Sequence, residues 1–155
     1  MSKRSLVIVA HSLRSLWNIG ALFRSSDAFS VEHIHLTGYS AAPPRTEISK
    51  TALGADEWIP WSSGPSIEDV LHARRAEGYD ILALERGEGS IPLYRYQPAE
   101  KCCLVLGHEI LGVPEGVLAT ADHILEIPMH GRKESLNVTV AAGIAMYYLR
   151  WGDCQ

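Results

Sequence analysis

The stretch IPMHGRKESLNVTVAAGIAMYY, residues 127–148, breaks an apolar run with Gly131, charged residues, and the polar pair Ser135 and Asn137 on either side of Leu136. A Ser or Asn placed just ahead of an apolar helical segment caps the helix. The free backbone amides of the first turn can donate to a ligand carboxylate or ribose. Capping explains one of Ser135 and Asn137, but not both, nor the extended loop before them. A second polar group lies in LGHEILGVPEG, where a strand ending in Gly107 allows a ligand close to the backbone and Glu109 opens a turn. A third is NIGALFR. Asn18 and Arg24 stand six residues apart, about 1.7 helical turns, so they lie on different faces: Asn18 meets a ligand at the helix mouth while Arg24 projects elsewhere.

Other chemistries find no support. The seven histidines lack HxxxH or HxH spacing with acids, so no metal site is expected; His33 and His35 fall in one strand, with one of them expected to face solvent. There is no GxSxG elbow for hydrolysis. Gly107, Gly112 and Gly116, like Gly87 and Gly89, miss the dinucleotide fingerprint. The three cysteines, Cys102 and Cys103 in a buried strand and Cys154 near the end, match neither a disulfide framework nor a zinc spacing, which points to a reducing, cytoplasmic setting.

The elements that must position the polar groups follow from apolar periodicity. SLVIVA reads as a buried strand, HSLRSLW as a loop, and IGALFRSSDAFS as a helix with Asn18 where the cap would stand. EHIHLTG, DEWIPW, YDILALE, KCCLVLG and HILEIPM read as further strands, RGEGSIPLYRYQPAE as a connection. TEISKTALG, SIEDVLHARRAEG (capped by Ser66, stopped by Gly78) and NVTVAAGIAMYYLRW read as helices. Six strands alternating with helices predict an α/β domain on a largely parallel sheet, in which ligands gather at the carboxyl ends of the strands.

The chain of 155 residues suits one domain, 1–155, with no linker to divide it and no added RNA-binding extension. No apolar run approaches the length of a membrane span. Net charge is −4, unlike a protein that binds nucleic acid by bulk attraction. The charge is uneven: residues 1–50 carry Lys3, Arg4, Arg14, Arg24, Arg45 and Lys50 against Asp27, Glu32 and Glu47, a local excess of positive charge that allows a basic face.

Taken together, NIGALFRSSDAF, LVLGHEILGVPEGVL and IPMHGRKESLNVTVAAGIAMYY resemble the three ordered motifs of the SpoU (TrmH) family, within the SPOUT superfamily of RNA methyltransferases, over about residues 6–151. The resemblance implies a sheet flanked by helices with a deep C-terminal trefoil knot in roughly residues 80–155, against the general rarity of knots. It implies a homodimer that binds S-adenosyl-L-methionine in the knot and methylates a ribose 2′-hydroxyl on tRNA or rRNA. Asn18, Arg24, Glu109, Ser135 and Asn137 match the family's catalytic polar set, and Leu84, Gly107, Ile127, Met129, Ser135 and Leu136 match positions that hold the donor.

Methyl transfer needs in-line positioning and help for a poorly acidic hydroxyl. Arginine normally stays protonated, so Arg24 is expected to hold a phosphate and stabilise the developing oxyanion, with Asn18 orienting it or the ribose. Arg14, Arg45, Lys50, Arg132 and Lys133 are the candidates for RNA phosphate contacts. A small element such as a tRNA stem-loop is the favoured substrate. The competing readings are a catalytically silent donor- and RNA-binding assembly module and an unknotted nucleotide-binding α/β protein.

Overall fold

Leu6 through Ala10 are all buried, which is why this run forms a central strand, β1 (Ser5–His11), covered on both faces. The computed structural model describes residues 3–152; Cys154 lies outside them. After β1 come α1 (Leu16–Ala28), β2 (His33–Thr37), α2 (Thr46–Ala52), α3 (Ala55–Trp58), β3 (Trp61–Ser63), α4 (Ile67–Ala76), β4 (Asp80–Leu84) and β5 (Ser90–Pro92). A 3-10 turn (Leu93–Arg95) leads to β6 (Lys101–Leu106), α5 (Glu115–Thr120), β7 (His123–Glu126) and α6 (Val138–Trp151).

The sheet has seven strands in the order β3-β2-β1-β6-β4-β7-β5, every pairing parallel. Six were expected. The seventh, β5, is a three-residue edge strand paired only with β7, inside the segment read as a connection. DEWIPW was also misplaced as one strand: Ala55–Trp58 is a helical turn, and the strand starts at Trp61. Two neighbouring glycine-like conformations, Leu53 at φ 51° and Gly54 at φ 96°, separate α2 from α3.

Alternation along the strands divides the core into two. Leu6, Ile8, Ala10, Leu82, Leu104 and Leu106 face the layer holding Phe23 of α1 and Met146 of α6. Val7, Val9, Ile81, Ala83 and Val105 face Val70 and Leu71 of α4 and Val117 of α5. The vicinal cysteines obey the same rule, Cys102 entering the first layer and Cys103 the second. Both are free and buried, as inert apolar packing.

His33 and His35, two positions apart and so on one side of β2, are both half-buried, where one was expected to face solvent: their rings stand 4.4 Å apart and share the hydroxyl of Ser62. Among the described residues no group of three or more His, Cys, Asp or Glu is placed to hold a metal ion, and no helix is long and apolar enough to cross a membrane.

β1 and β6 are neighbours, yet β1 leads on to β2 at one side while β4, β7 and β5 lie at the other. The chain direction thus divides between β1 and β6, and in such sheets ligands gather at the carboxyl ends of the strands.

Candidate active site

The first helix begins three residues earlier than its apolar pattern indicated. Ser15 is its cap, its Oγ accepting the N–H of Asn18 at 3.2 Å, so Asn18 is in the first turn and not at the cap. This frees the Asn18 amide. Its Nδ2 donates to Glu109 Oε1 at 3.4 Å, and its Oδ1 accepts from Asn137 Nδ2 at 3.3 Å. Asn137 in turn is the cap of α6, its Oδ1 accepting from the N–H of Thr139 at 2.9 Å and from the Thr139 hydroxyl at 2.6 Å.

Glu109 is held by the start of α1. Its carboxylate accepts the Ser15 N–H at 2.9 Å and the Arg14 N–H at 3.4 Å, besides Asn18. Partial burial works against its charge, but the donors, Ser15 first, outweigh it and bring the carboxyl below its ordinary value. A negative side chain at a helix N-terminus also suits the helix dipole. Glu109 therefore ties the loop after β6 to the loop after β1.

Beside this chain of contacts lies a cleft at the carboxyl ends of β4, β6 and β7. All six residues expected to hold the donor line it: Leu84, Gly107, Ile127, Met129, Ser135 and Leu136. Of the catalytic set, Glu109 and Ser135 reach the cleft, and Asn18 and Asn137 join it through Glu109. Arg24 is not drawn in. It is exposed on α1, and among the described residues no hydrogen bond or ion pair engages it. Arg14, Arg45, Lys50, Arg132 and Lys133 are all exposed: Arg14 beside Glu109, Arg132 and Lys133 in the loop before α6, Arg45 just ahead of α2 and Lys50 on it.

Glu85, Arg86 and Glu126 also line the cleft and were missed from the sequence. The signal existed: LERGEG stands directly after a buried strand, and acids just past a strand end in a parallel sheet point toward the ligand crevice. The lining carries three acids, Glu85, Glu109 and Glu126, and one arginine, Arg86, and among the described residues none of the three acids is in a salt bridge. Leu84, Ile127, Leu136 and Val138 add apolar walls. This lining fits a ligand that combines a flat ring with positive charge.

A parallel α/β domain with such a cleft at its strand ends, next to a helix-mouth amide network, defines a ligand-binding enzyme-like fold. The chain belongs to the SpoU rRNA Methylase family, which matches residues 5–147. Among curated relatives it is 27% identical over 142 residues to the tRNA (guanosine(18)-2'-O)-methyltransferase of Escherichia coli (strain K12), covering 92% of this chain and 61% of that protein. It is 28% identical over 145 residues to the 23S rRNA (guanosine-2'-O-)-methyltransferase RlmB of Vibrio cholerae, covering 94% and 58%. The chain thus spans about three fifths of the length of these relatives.

Among solved structures, the AdoMet-bound rRNA methyltransferase from Sinorhizobium meliloti superposes with TM-score 0.89 at 26% identity, covering 96% of this chain and 57% of that one. A structure described as giving insights into the 2-OH methylation of C/U34 on tRNA aligns with TM-score 0.85 at 27% identity, covering 96% of both chains.

Proposed function

We propose that the protein is an S-adenosyl-L-methionine-dependent methyltransferase acting on a ribose 2′-hydroxyl of RNA, tRNA before rRNA. One observation carries this reading: the hydrogen-bonded run Glu109–Asn18–Asn137 meets, at the carboxyl ends of the strands, a cleft lined by all six candidate donor-holding residues. The preference for tRNA rests on the similar tRNA-methylating structure of matching length.

Bound S-adenosylmethionine supplies a methyl group activated by a sulfonium. The apolar walls at Leu84, Ile127 and Leu136 suit its adenine, and the acid Glu126 suits its positive charge. Asn18, held by Glu109 and Asn137, orients the ribose, and Ser135 fixes the loop beside it. Arg24 acts as a hydrogen-bond donor: its fork holds a substrate phosphate and stabilises the negative charge that grows on the 2′-oxygen as its proton passes to solvent. Arg14, Arg45, Lys50, Arg132 and Lys133 hold the RNA backbone.

The active form is a homodimer. On α6, Val140, Ile144, Tyr147 and Trp151 are all exposed and recur at helical spacing. The Phe29 ring of α1 meets Tyr147 and Trp151 edge-on, extending one apolar face that a second copy would cover. Ser25 borders that face, so Arg24, next in the chain, stands at its rim and would serve the partner's cleft. The residues from about 80 onward form a trefoil knot; β7 pairs between β4 and β5 while α6 returns to α1 and β1, a path that favours threading. Each subunit is one methyltransferase domain, and the dimer acts in the cytoplasm.

The test is transfer of labelled methyl from S-adenosylmethionine to bulk tRNA and, separately, to rRNA, followed by nuclease digestion and mass spectrometry. A 2′-O-methylated nucleoside in tRNA is expected. Donor binding without transfer to either RNA would favour the silent assembly module, and absence of donor binding would reject both.

A further inference from the structure

Glu85 follows directly on β4, and its own N–H extends the pairing with β7 by donating to the Leu125 carbonyl at 3.0 Å. Its side chain turns the other way, toward β6. Oε2 accepts the Val113 N–H at 3.0 Å and Oε1 accepts the Arg86 N–H at 3.0 Å. One half-buried carboxylate therefore holds the backbone of two loops that bound the cleft.

The fit around it leaves no slack. A methyl group added at Gly112 would stand 2.2 Å from Glu85 Oε2, and one added at Gly107 would stand 2.3 Å from both the Gly112 carbonyl carbon and the Val113 nitrogen. The end of β4, the Gly112–Val113 backbone and the end of β6 are stacked at contact distance, with Gly112 in the left-handed region at φ 73°. The turn between them is closed from within. Gly112 N–H donates to the His108 carbonyl at 2.9 Å, and His108 Nδ1 accepts the N–H groups of Ile110 and Leu111 at 3.0 Å each. Val113, buried to 4% exposure, anchors the far side. Whatever holds Val113 therefore sets where Gly107 and Ile110, both cleft residues, can stand.

We infer that Glu85 is the positioning residue of the donor cleft: its carboxylate clamps the Gly112–Val113 backbone against the end of β4 and so fixes the wall made by Gly107 and Ile110. The role rests on the methyltransferase reading above, and it is distinct from chemistry, since each carboxylate oxygen already has a backbone donor. Glutamine retains one acceptor oxygen and alanine none.

Titration calorimetry of the full chain with S-adenosylmethionine tests the clamp. Glu85→Ala is expected to weaken donor binding roughly tenfold or more, with Glu85→Gln between it and wild type. The KM for RNA and kcat at saturating donor should stay within about twofold, which a general loss of structure would not allow. Wild-type donor affinity in Glu85→Ala, or a loss that falls on the RNA KM instead, overturns the inference while leaving the methyltransferase reading intact. If Glu85→Ala fails to fold, Glu85→Gln alone decides: weakened donor affinity supports the clamp and unchanged affinity overturns it. A wild-type chain that binds no donor refutes the parent reading and the clamp together.

Discussion

Asn137 Nδ2 donates to Asn18 Oδ1 at 3.3 Å, joining the first turn of α1 to the cap of α6 across 119 positions of chain. The same Asn137 side chain uses its Oδ1 to cap α6, so one amide both starts a helix and orients a second amide that faces Glu109. Asn137→Ala should lose both functions. The missing cap costs about 1 kcal/mol, a fall in melting temperature of roughly 2–4 °C for a chain of this size. Methyl transfer should fall by far more than that stability change explains, and equal small losses in both would separate Asn137 from the site.

Arg24 has no partner among the described residues that its removal would orphan. Arg24→Ala should therefore leave folding and donor affinity nearly unchanged while abolishing methyl transfer. Calorimetry with S-adenosylmethionine and a methyl-transfer assay on the same preparation check the division; lost donor affinity would assign Arg24 to the cleft instead.

A charge on the apolar stripe of α6 should separate the subunits. Ile144 is 42% exposed, so the longer side chain of Ile144→Glu can carry its carboxylate to solvent in the monomer. Light scattering should show a dimer for wild type and a monomer for the variant, with transfer lost as Arg24 leaves the partner's cleft. An Ile144→Glu dimer would point to another interface.

Gly20 permits the close approach of α1 and α2. A methyl group there would stand 1.9 Å from Thr51 Oγ1 and 2.3 Å from the Ile48 carbonyl oxygen, and the latter is backbone that cannot swing away. Gly20→Ala should destabilise by about 1–3 kcal/mol despite the better helix propensity of alanine, as read by urea unfolding. A neutral or stabilising effect would mean that the two helices can part at little cost.

The pair on β2 predicts a pH dependence. Burial first, then the neighbouring His33 and Arg74, lowers the His35 pKa from 6.5 to about 4. The unfolded chain therefore binds more protons than the folded one between those values, and the His35 contribution to stability is complete above about 6.5 and declines as pH falls toward 4. Unfolding free energy measured at several pH values across this window should fall with acid in wild type and fall less steeply in His35→Gln. Equal slopes would remove His35 from the acid response.

Much of this was legible in one dimension. The apolar runs LVIVA, DILAL and CCLVL became the central strands because a strand buried on both faces needs no alternation of polarity, only length and β-branched or apolar side chains. Ser66 as a cap and Gly78, at φ 87°, as a stop were likewise local features, decided by hydrogen bonds and torsions within a few residues. The six residues marked by the family resemblance all line one cleft: Leu84, Gly107 and Ile127 stand at strand ends, where a parallel sheet gathers its ligands, and Met129, Ser135 and Leu136 in the loop that leads to α6.

What the fold alone decided depends on partners far away in the chain. The three residues of β5 are too few to show a period, and pairing with β7 makes them a strand. Ser15, not Asn18, caps α1, and the Asn18 side chain thereby becomes available to Glu109 and Asn137. Glu85 looks like an ordinary loop acid until Val113, 28 positions on, donates to it. Local pattern reflects short-range preferences and burial, whereas these contacts arise only when packing has closed long loops and brought remote backbone donors within hydrogen-bonding distance.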